Sequence, residues 1–467
     1  MADDSFSRIE ISSLEGRAQS TRLRQKLFHS LHATLRFSEK TIKDAILADS
    51  GHCESEVNVE YALAISDLRK HYASVDLEQD LKAQKAVENL AATTNVGIVY
   101  VIPAKQNLFY SVISALTAAL AAGNCVVVEV SGVLRKILPS ALDADIFAIS
   151  STRPSEDFLS KCHVLAQSDD GTNDTQSKPQ AKVVAVVDRT ANIPEAAMAI
   201  GASRVSFNGH SVYAPDVVLV NEFVADTFLY HLVQTVTSSL SSKSPPVSTH
   251  PSKAQPDTHA KMLRELESND GVRVVVSSSN GSIMEVKDRT KVPLNRRIEG
   301  RLIIVVRITS LDDAIDLVNS LGTPLEANYI FAAPAEANYP ARFIDARISC
   351  INHIPAELLV GPFAPKHPAE APSPSPRYTS ALFRTPRPRL SHASELTALT
   401  QEAVRSRSTK GLQSWSRAIV ESALPAIKQA DGRDVGFFDQ AFMALSIGIV
   451  SVVAGTAFYA FRTLRRR

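Results

Sequence analysis

Four short, almost wholly apolar runs constrain this chain more than any other feature. They are Val96 to Ile102, Cys125 to Val130, Ile146 to Ser150 and Lys182 to Val187. Runs this short, rich in β-branched residues and apolar at consecutive positions, read as strands buried on both faces. Such a strand needs a cover on each side, and helices crossing between parallel strands provide it. The stretches between the runs have helical periodicity, so the fold class is expected to be α/β with parallel βαβ units. Val217 to Val220, Val272 to Val276 and Leu302 to Ile308 are expected to supply a second sheet. Residues 14 to 90 read as mostly helical, with Leu27, Leu31 and Leu35 forming an apolar stripe.

A chain of 467 residues, 45% of them hydrophobic, can bury a core large enough for two or three domains. Its 50 basic and 49 acidic side chains leave a formal charge of +1, so no global field draws in nucleic acid. Cys53, Cys125, Cys162 and Cys350 have no paired spacing, which fits reduced thiols. His29 and His32 share a helix face but lack further ligands at metal-site spacing, so no metal is expected. Cys162 has Lys161 and His163 beside it, yet it reads as an ordinary packed or surface thiol. The acidic start Met1-Ala2-Asp3-Asp4 carries no secretory signal. Gln167 to Gln180, Thr237 to Pro256 and Pro365 to Arg389 are polar, Pro- and Ser-rich, and read as loops or linkers.

At the other end, Ala441 to Phe461 is uncharged and apolar, and Arg462, Arg465, Arg466 and Arg467 follow it. Its length suits a bilayer span, so a single-pass C-terminal membrane anchor is expected, with the body in the cytosol. Endoplasmic reticulum, mitochondrial outer membrane and peroxisome are all compatible destinations.

One loop points to chemistry. Gly209-His210-Ser211-Val212-Tyr213-Ala214-Pro215-Asp216 resembles the Gly-Gln-Thr-Cys-Ile-Ala-Pro-Asp signature of aldehyde dehydrogenases, with Val212 where the nucleophilic cysteine stands. Weaker matches follow the family's order. They are Ala122-Gly123-Asn124-Cys125, Val187-Asp188-Arg189-Thr190-Ala191-Asn192, Ser310-Leu311-Asp312-Asp313-Ala314-Ile315, Thr323-Pro324-Leu325 and Gly361-Pro362-Phe363. The similarity spans roughly residues 20 to 390 and is strongest to the membrane-anchored, fatty-aldehyde branch and its fungal relatives. It implies a Rossmann-type cofactor domain, here shortened, an α/β catalytic domain, and NAD or NADP as cofactor.

In that family a thiolate attacks the aldehyde, an asparagine amide holds the oxyanion and a glutamate activates water. Carried onto this chain, the nucleophile position is Val212, with Ser211 beside it, and the oxyanion position is Lys105 or Gln106, depending on the direction of counting. The general-base position is Lys178. The cofactor positions become Glu129, Ser150, Thr152, Ser155 and Arg297, with Glu299 a partial replacement for the last and Arg153 a further phosphate partner. Val130 and Ser150 are too close to hold both elements that the family places between them. The expected organisation is a helical N-terminal part (1–90), a Rossmann-like cofactor domain (91–200), a catalytic-type α/β domain (201–365), a Pro-rich linker and return segment (366–435) and an anchor (436–467).

The family reaction is NAD(P)-dependent oxidation of a lipophilic aldehyde to a carboxylic acid. Loss of nucleophile and base suggests instead a catalytically impaired, membrane-tethered subunit or scaffold, pairing with itself or with an active homologue. The alternative is an active aldehyde dehydrogenase in a fungal secondary-metabolite or fatty-aldehyde pathway.

Overall fold

The computed structural model describes residues 2–85, 92–167, 182–241, 258–278, 281–298, 300–321, 324–365, 377–387, 394–407, 410–426, 428, 439–440, 442–449, 451 and 455–456. They fall into two compact units, Met1–Ser391 and His392–Arg467.

The first unit opens with helices α1 (Ala2–Glu15), α2 (Thr21–Phe37), α3 (Glu39–Ser50), α4 (Glu54–Ala73) and α5 (Leu77–Lys85). The stripe expected on α2 is buried: Leu27, Leu31 and Leu35 face the core while Ser20 caps the helix through the Leu23 N–H. After β1 (Thr93–Asn95) come β2 (Ile98–Ile102), α6 (Leu108–Ala121), β3 (Cys125–Glu129), α7 (Gly132–Ala141), β4 (Phe147–Ser150), α8 (Glu156–Leu159) and β5 (His163–Ala166). Strands β2 to β5 form a parallel sheet in the order β4-β3-β2-β5. The chain steps outward from β2 to β4, then returns to the other side of β2. That reversal is a topological switch point of the kind where open α/β sheets bind ligands.

The second sheet has seven strands, in the order β12-β11-β6-β7-β10-β9-β8. In chain order its parts are β6 (Val183–Val187), α9 (Ile193–Val205), β7 (Val217–Asn221), α10 (Ala225–Ser241), α11 (Thr258–Glu267), β8 (Val272–Ser278), β9 (Gly281–Val286), β10 (Leu302–Ile308), α12 (Leu311–Ser320), β11 (Ala327–Phe331), α13 (Pro334–Phe343), β12 (Ser349–Ile351) and α14 (Ala356–Leu359). All pairings are parallel except β8 with β9. Two features differ from the sequence-based expectation. The run at Lys182 to Val187 pairs with β7 and β11, not with the first sheet. A short helix and strand, α8 and β5, also follow Ser150, so the first sheet gains a fourth strand from a stretch given no element in the sequence reading.

Residues 377–387 return to the first sheet. Strand β13 (Arg384–Pro386) pairs antiparallel with β1, and Tyr378, Leu382 and Phe383 are buried in the first sheet's core. The second unit contains α15 (Glu395–Ser406) and α16 (Lys410–Glu421).

The expected membrane anchor is corrected here: among the described residues no helix is long and apolar enough to cross a membrane. Within Ala441 to Phe461 the described residues 442–449, 451 and 455–456 are helical. The rest of that run lies largely outside the described residues. The single-pass localisation, the membrane partner and the transmembrane part of the fold fall with it.

Candidate functional site

Helix α9 ends in a tight turn, Ser206–Gly209, in which Phe207, Asn208 and Gly209 all have positive φ (51°, 57° and 74°). Left-handed backbone at a non-glycine residue costs about 1–3 kcal/mol, so the surroundings must hold the turn. They do so from several directions. The Glu56 carboxylate accepts the Phe207 N–H at 2.7 Å, and the His52 ring meets the Phe207 ring edge-on at 5.3 Å. Asn208 donates to the Ser50 carbonyl at 3.1 Å and accepts from the Arg301 guanidinium at 2.7 Å. Gly209 presses against the backbone of Gly300, where a Cβ would overlap the carbonyl carbon. Glycine is therefore required there by space as well as by conformation.

The rest of the loop is anchored at its Ala-Pro-Asp end. The Asp216 carboxylate accepts the N–H groups of Val183 and Ile298, both at 2.9 Å, and Tyr213 accepts the Ala364 N–H through its hydroxyl. Ala214, Pro215 and Asp216 thus serve architecture. Val212 is half-buried and packs on the second sheet's core, and its carbonyl accepts from Arg297 at 2.9 Å. The Arg297 guanidinium lies over the Phe363 ring, 4.7 Å from its centroid. Ser211 Oγ is buried and has no hydrogen-bond partner among the described residues. No thiol stands on this loop. Cys125 and Cys350 sit inside strands, Cys53 caps α4, and Cys162 donates to the Phe158 carbonyl. Burial pushes the thiols of Cys125 and Cys162 up to about 12, the latter despite Lys161, which pairs with Glu10.

Beside the loop lies a cavity of about 90 Å³. Ser50, the partner of Asn208, lines it together with Glu60, Lys105, Asn107 and Ser131, and Ile42, Ile46, Leu108, Phe109, Val133 and Leu134 give it apolar walls. Glu60 is fully buried, and burial holds its carboxyl above the usual range. Its carboxylate accepts from Asn107 Nδ2 at 3.1 Å and from the Tyr110 N–H at 3.3 Å, and His52 Nδ1 stands 3.9 Å away. Asn107 holds a left-handed conformation (φ 49°) and accepts the Gly361 N–H at 3.2 Å, tying the late Gly361-Pro362-Phe363 turn to the first sheet. Glu60 and Asn107 were missed by sequence reasoning. The available signal was an asparagine, a residue that tolerates left-handed backbone, opening a buried helix.

The structure brings some predicted positions together and not others. Lys105 lines the cavity, whereas Gln106 is exposed in the same turn. At the switch point Gln167 bridges β5 to α6, accepting the Ala104 N–H and donating to the Ser111 carbonyl. Glu129, at the end of β3, accepts the Tyr100 hydroxyl at 2.8 Å. Ser150 donates to the Thr152 carbonyl, and Thr152, Arg153 and Ser155 lie beyond edge strand β4, with Thr152 and Ser155 exposed. Lys178 and Glu299 lie outside the described residues. Among the described residues no His, Cys, Asp or Glu cluster could hold a metal ion.

No family model matches the chain. It is 22% identical over 378 residues to aldehyde dehydrogenase family 3 member A2 of Macaca fascicularis, covering 70% of this chain and 74% of that protein. Substrate-bound AldH of Staphylococcus aureus superposes with a TM-score of 0.62 at 16% identity, over 90% of this chain and 100% of that one. The fold is aldehyde-dehydrogenase-like. Succinic semialdehyde dehydrogenase of Streptococcus pyogenes, in complex with NADP+, is similar with a TM-score of 0.59 at 14% identity, over 75% of this chain and 86% of that one. The aldehyde-dehydrogenase-like fold is thus a nucleotide-cofactor fold. With no membrane-crossing helix among the described residues, the expectation of a membrane-tethered subunit is corrected, and the likeness in fold sits better with the alternative reading than with a tethered scaffold.

The residues present suit the anionic part of a dinucleotide. The side chain of Ser131 leaves the first N–H groups of α7 uncapped, and a Cβ added at Gly132 would meet nothing within 4 Å. Lys105 faces the same cavity as Ser131 and Val133. An ammonium and a helix N-terminus on one cavity are a donor set for phosphate oxygens. Ligand pockets usually measure about 300–1,000 Å³, so this cavity holds a phosphate- or carbonyl-sized group rather than a whole cofactor.

Proposed function

We propose that this chain is an NAD(P)-dependent oxidoreductase acting on an aldehyde with an apolar substituent. One observation carries the reading: Glu60, Lys105 and the start of α7 converge on an apolar-walled cavity beside the loop that contains Val212. The aldehyde-dehydrogenase-like fold supports it.

A valine cannot form a thioester, so the compatible substrate form is the aldehyde hydrate. In its oxidation the C–H bond breaks with its electron pair, a hydroxyl proton leaves, and the second C–O bond becomes the carbonyl of the acid. The nicotinamide, when bound, supplies the hydride acceptor. Glu60, as carboxylate, takes the hydroxyl proton, with Asn107 and the Tyr110 N–H holding its oxygens in place. The Lys105 ammonium stabilises the developing negative charge on oxygen or holds phosphate. Ile46, Leu108 and Phe109 wall the cavity and keep water from the reacting group.

The test is production of reduced nicotinamide from medium- and long-chain aldehydes by the full-length protein. Turnover is expected to fall by about 100-fold or more in Glu60→Gln, with dinucleotide binding retained. Absence of turnover with every aldehyde and both cofactors would overturn the proposal.

A further inference from the structure

A base that takes up a proton has to give it up again before the next turnover, and Glu60 is fully buried. The Asn107 amide and the Tyr110 N–H that hold its oxygens donate hydrogen bonds and cannot carry a proton away. Beside it, His52 Nδ1 stands 3.9 Å from Oε2, buried and with no hydrogen-bond partner among the described residues. His52 lies just under the surface: it is 7% exposed, while Gly51 and Cys53 on either side of it are exposed. Lys105 and Asp49 also line the cavity, but an ammonium has no lone pair to receive a proton and an aspartate is the weaker base. An imidazole is neutral when it receives the proton and basic enough to hold it. The junction between α3 and α4 fixes the charges around the ring. Glu56 is held by the N–H groups of Phe207 and Cys53 at 2.7 and 2.9 Å. Asn208, tied to the Ser50 carbonyl, brings in Arg301, and His210 donates its N–H to the Phe207 carbonyl at 3.1 Å. Burial raises the Glu60 carboxyl and lowers the His52 imidazole, which draws the two proton affinities together. At His52, Glu56 opposes the fall while His210 and Arg301 reinforce it.

We propose that His52 is the outlet through which Glu60 passes its proton to solvent, an inference that rests on the reading of Glu60 as the base. The hydroxyl proton of the aldehyde hydrate first forms an O–H bond on Glu60. That bond breaks as Nδ1 takes the proton, its electron pair staying on the carboxylate, and the imidazolium then gives a proton to water at the α3–α4 junction. One proton leaves for each hydride transferred, and both side chains end in the charge state in which they began. A closing movement of about 1 Å brings Nδ1 and Oε2 within hydrogen-bond range, and Nδ1 breaks no hydrogen bond among the described residues in making it. His52 acts on the substrate only through Glu60.

Two measurements on the full-length protein test it. In the first, His52→Ala is expected to lower kcat by about tenfold or more with KM for the aldehyde little changed, and added imidazole is expected to restore part of the rate in proportion to its free-base form. A merely structural role for the ring would not respond to imidazole. Circular dichroism checks that the variant is folded, and His52→Gln, read by kcat alone, replaces it if it is not. In the second, which needs no turnover, the His52 ring is titrated by nuclear magnetic resonance in the native protein and in Glu60→Gln. Loss of the neighbouring carboxylate should lower the His52 midpoint by about half a pH unit or more. Native kcat in a folded His52 variant, a loss that imidazole leaves untouched, or an unmoved midpoint would each overturn the inference. Loss of turnover in Glu60→Gln beside native turnover in the His52 variant removes this inference alone, whereas absence of turnover in the native protein removes the catalytic reading with it.

Discussion

At the scale of single residues, Gly209 is the most tightly enclosed of the described glycines. A methyl group there would overlap the Gly300 carbonyl and force a left-handed conformation on an alanine. Gly209→Ala should lower stability by roughly 3 kcal/mol or more, measured as the shift in a urea midpoint. Val212 makes a different prediction. Since no thiol stands on the loop, alkylation by iodoacetamide should leave the turnover of the native protein unchanged, while Val212→Cys should make it sensitive. Glu60 gives the pH dependence. Because burial raises its carboxyl above the ordinary 4.5 and the base form is the carboxylate, turnover should rise with pH through that raised value. Glu60→Gln should remove this limb from the rate profile.

Among the elements, helix α4 joins the most distant parts of the first unit. His71 Nε2–H donates to the Tyr378 carbonyl at 2.7 Å, while Nδ1 meets Thr117 Oγ1 at 2.8 Å. Burial holds this imidazole below its usual 6.5. A depressed folded-state value means that the neutral ring stabilises the fold above 6.5, and that this contribution is lost as pH falls through the folded value. Melting temperature should therefore drop on acidification below about 6.5, and His71→Gln should flatten that dependence. The strands were the most legible elements. Consecutive apolar residues need both faces covered, so β2, β3, β4, β6, β7, β8 and β10 lie within about two residues of the stretches that announced them. Strand β5 was illegible because it begins with a histidine, whereas β4, equally short and also at a sheet edge, is announced by the apolar Ile146 and Phe147. Sheet membership was also hidden: β6 is as apolar as β2, and only the packing of α9 beside α10 places it in the second sheet. In the candidate site the loop was legible through glycine and Ala-Pro-Asp. Its cavity was not, because Glu60 and Lys105 are brought together by tertiary packing across 45 residues of sequence.

For the whole molecule, the proposed NAD(P) chemistry predicts that cofactor binding adds to stability. If NAD(P) binds the folded state alone, a concentration of about 100 times Kd should add about 2.7 kcal/mol, read as a rise in melting temperature. No rise with either dinucleotide would count against the proposed reaction.

The return of residues 377–387 has one more consequence. Asn124 donates to the Phe383 carbonyl, the Arg377 N–H meets Asp67, and Arg387 donates its N–H to the Ala92 carbonyl, so groups laid down early in synthesis wait for partners made much later. Strand β1 cannot complete its pairing until residue 387 has left the ribosome, and a nascent chain stalled near residue 365 should be a ready substrate for chaperones.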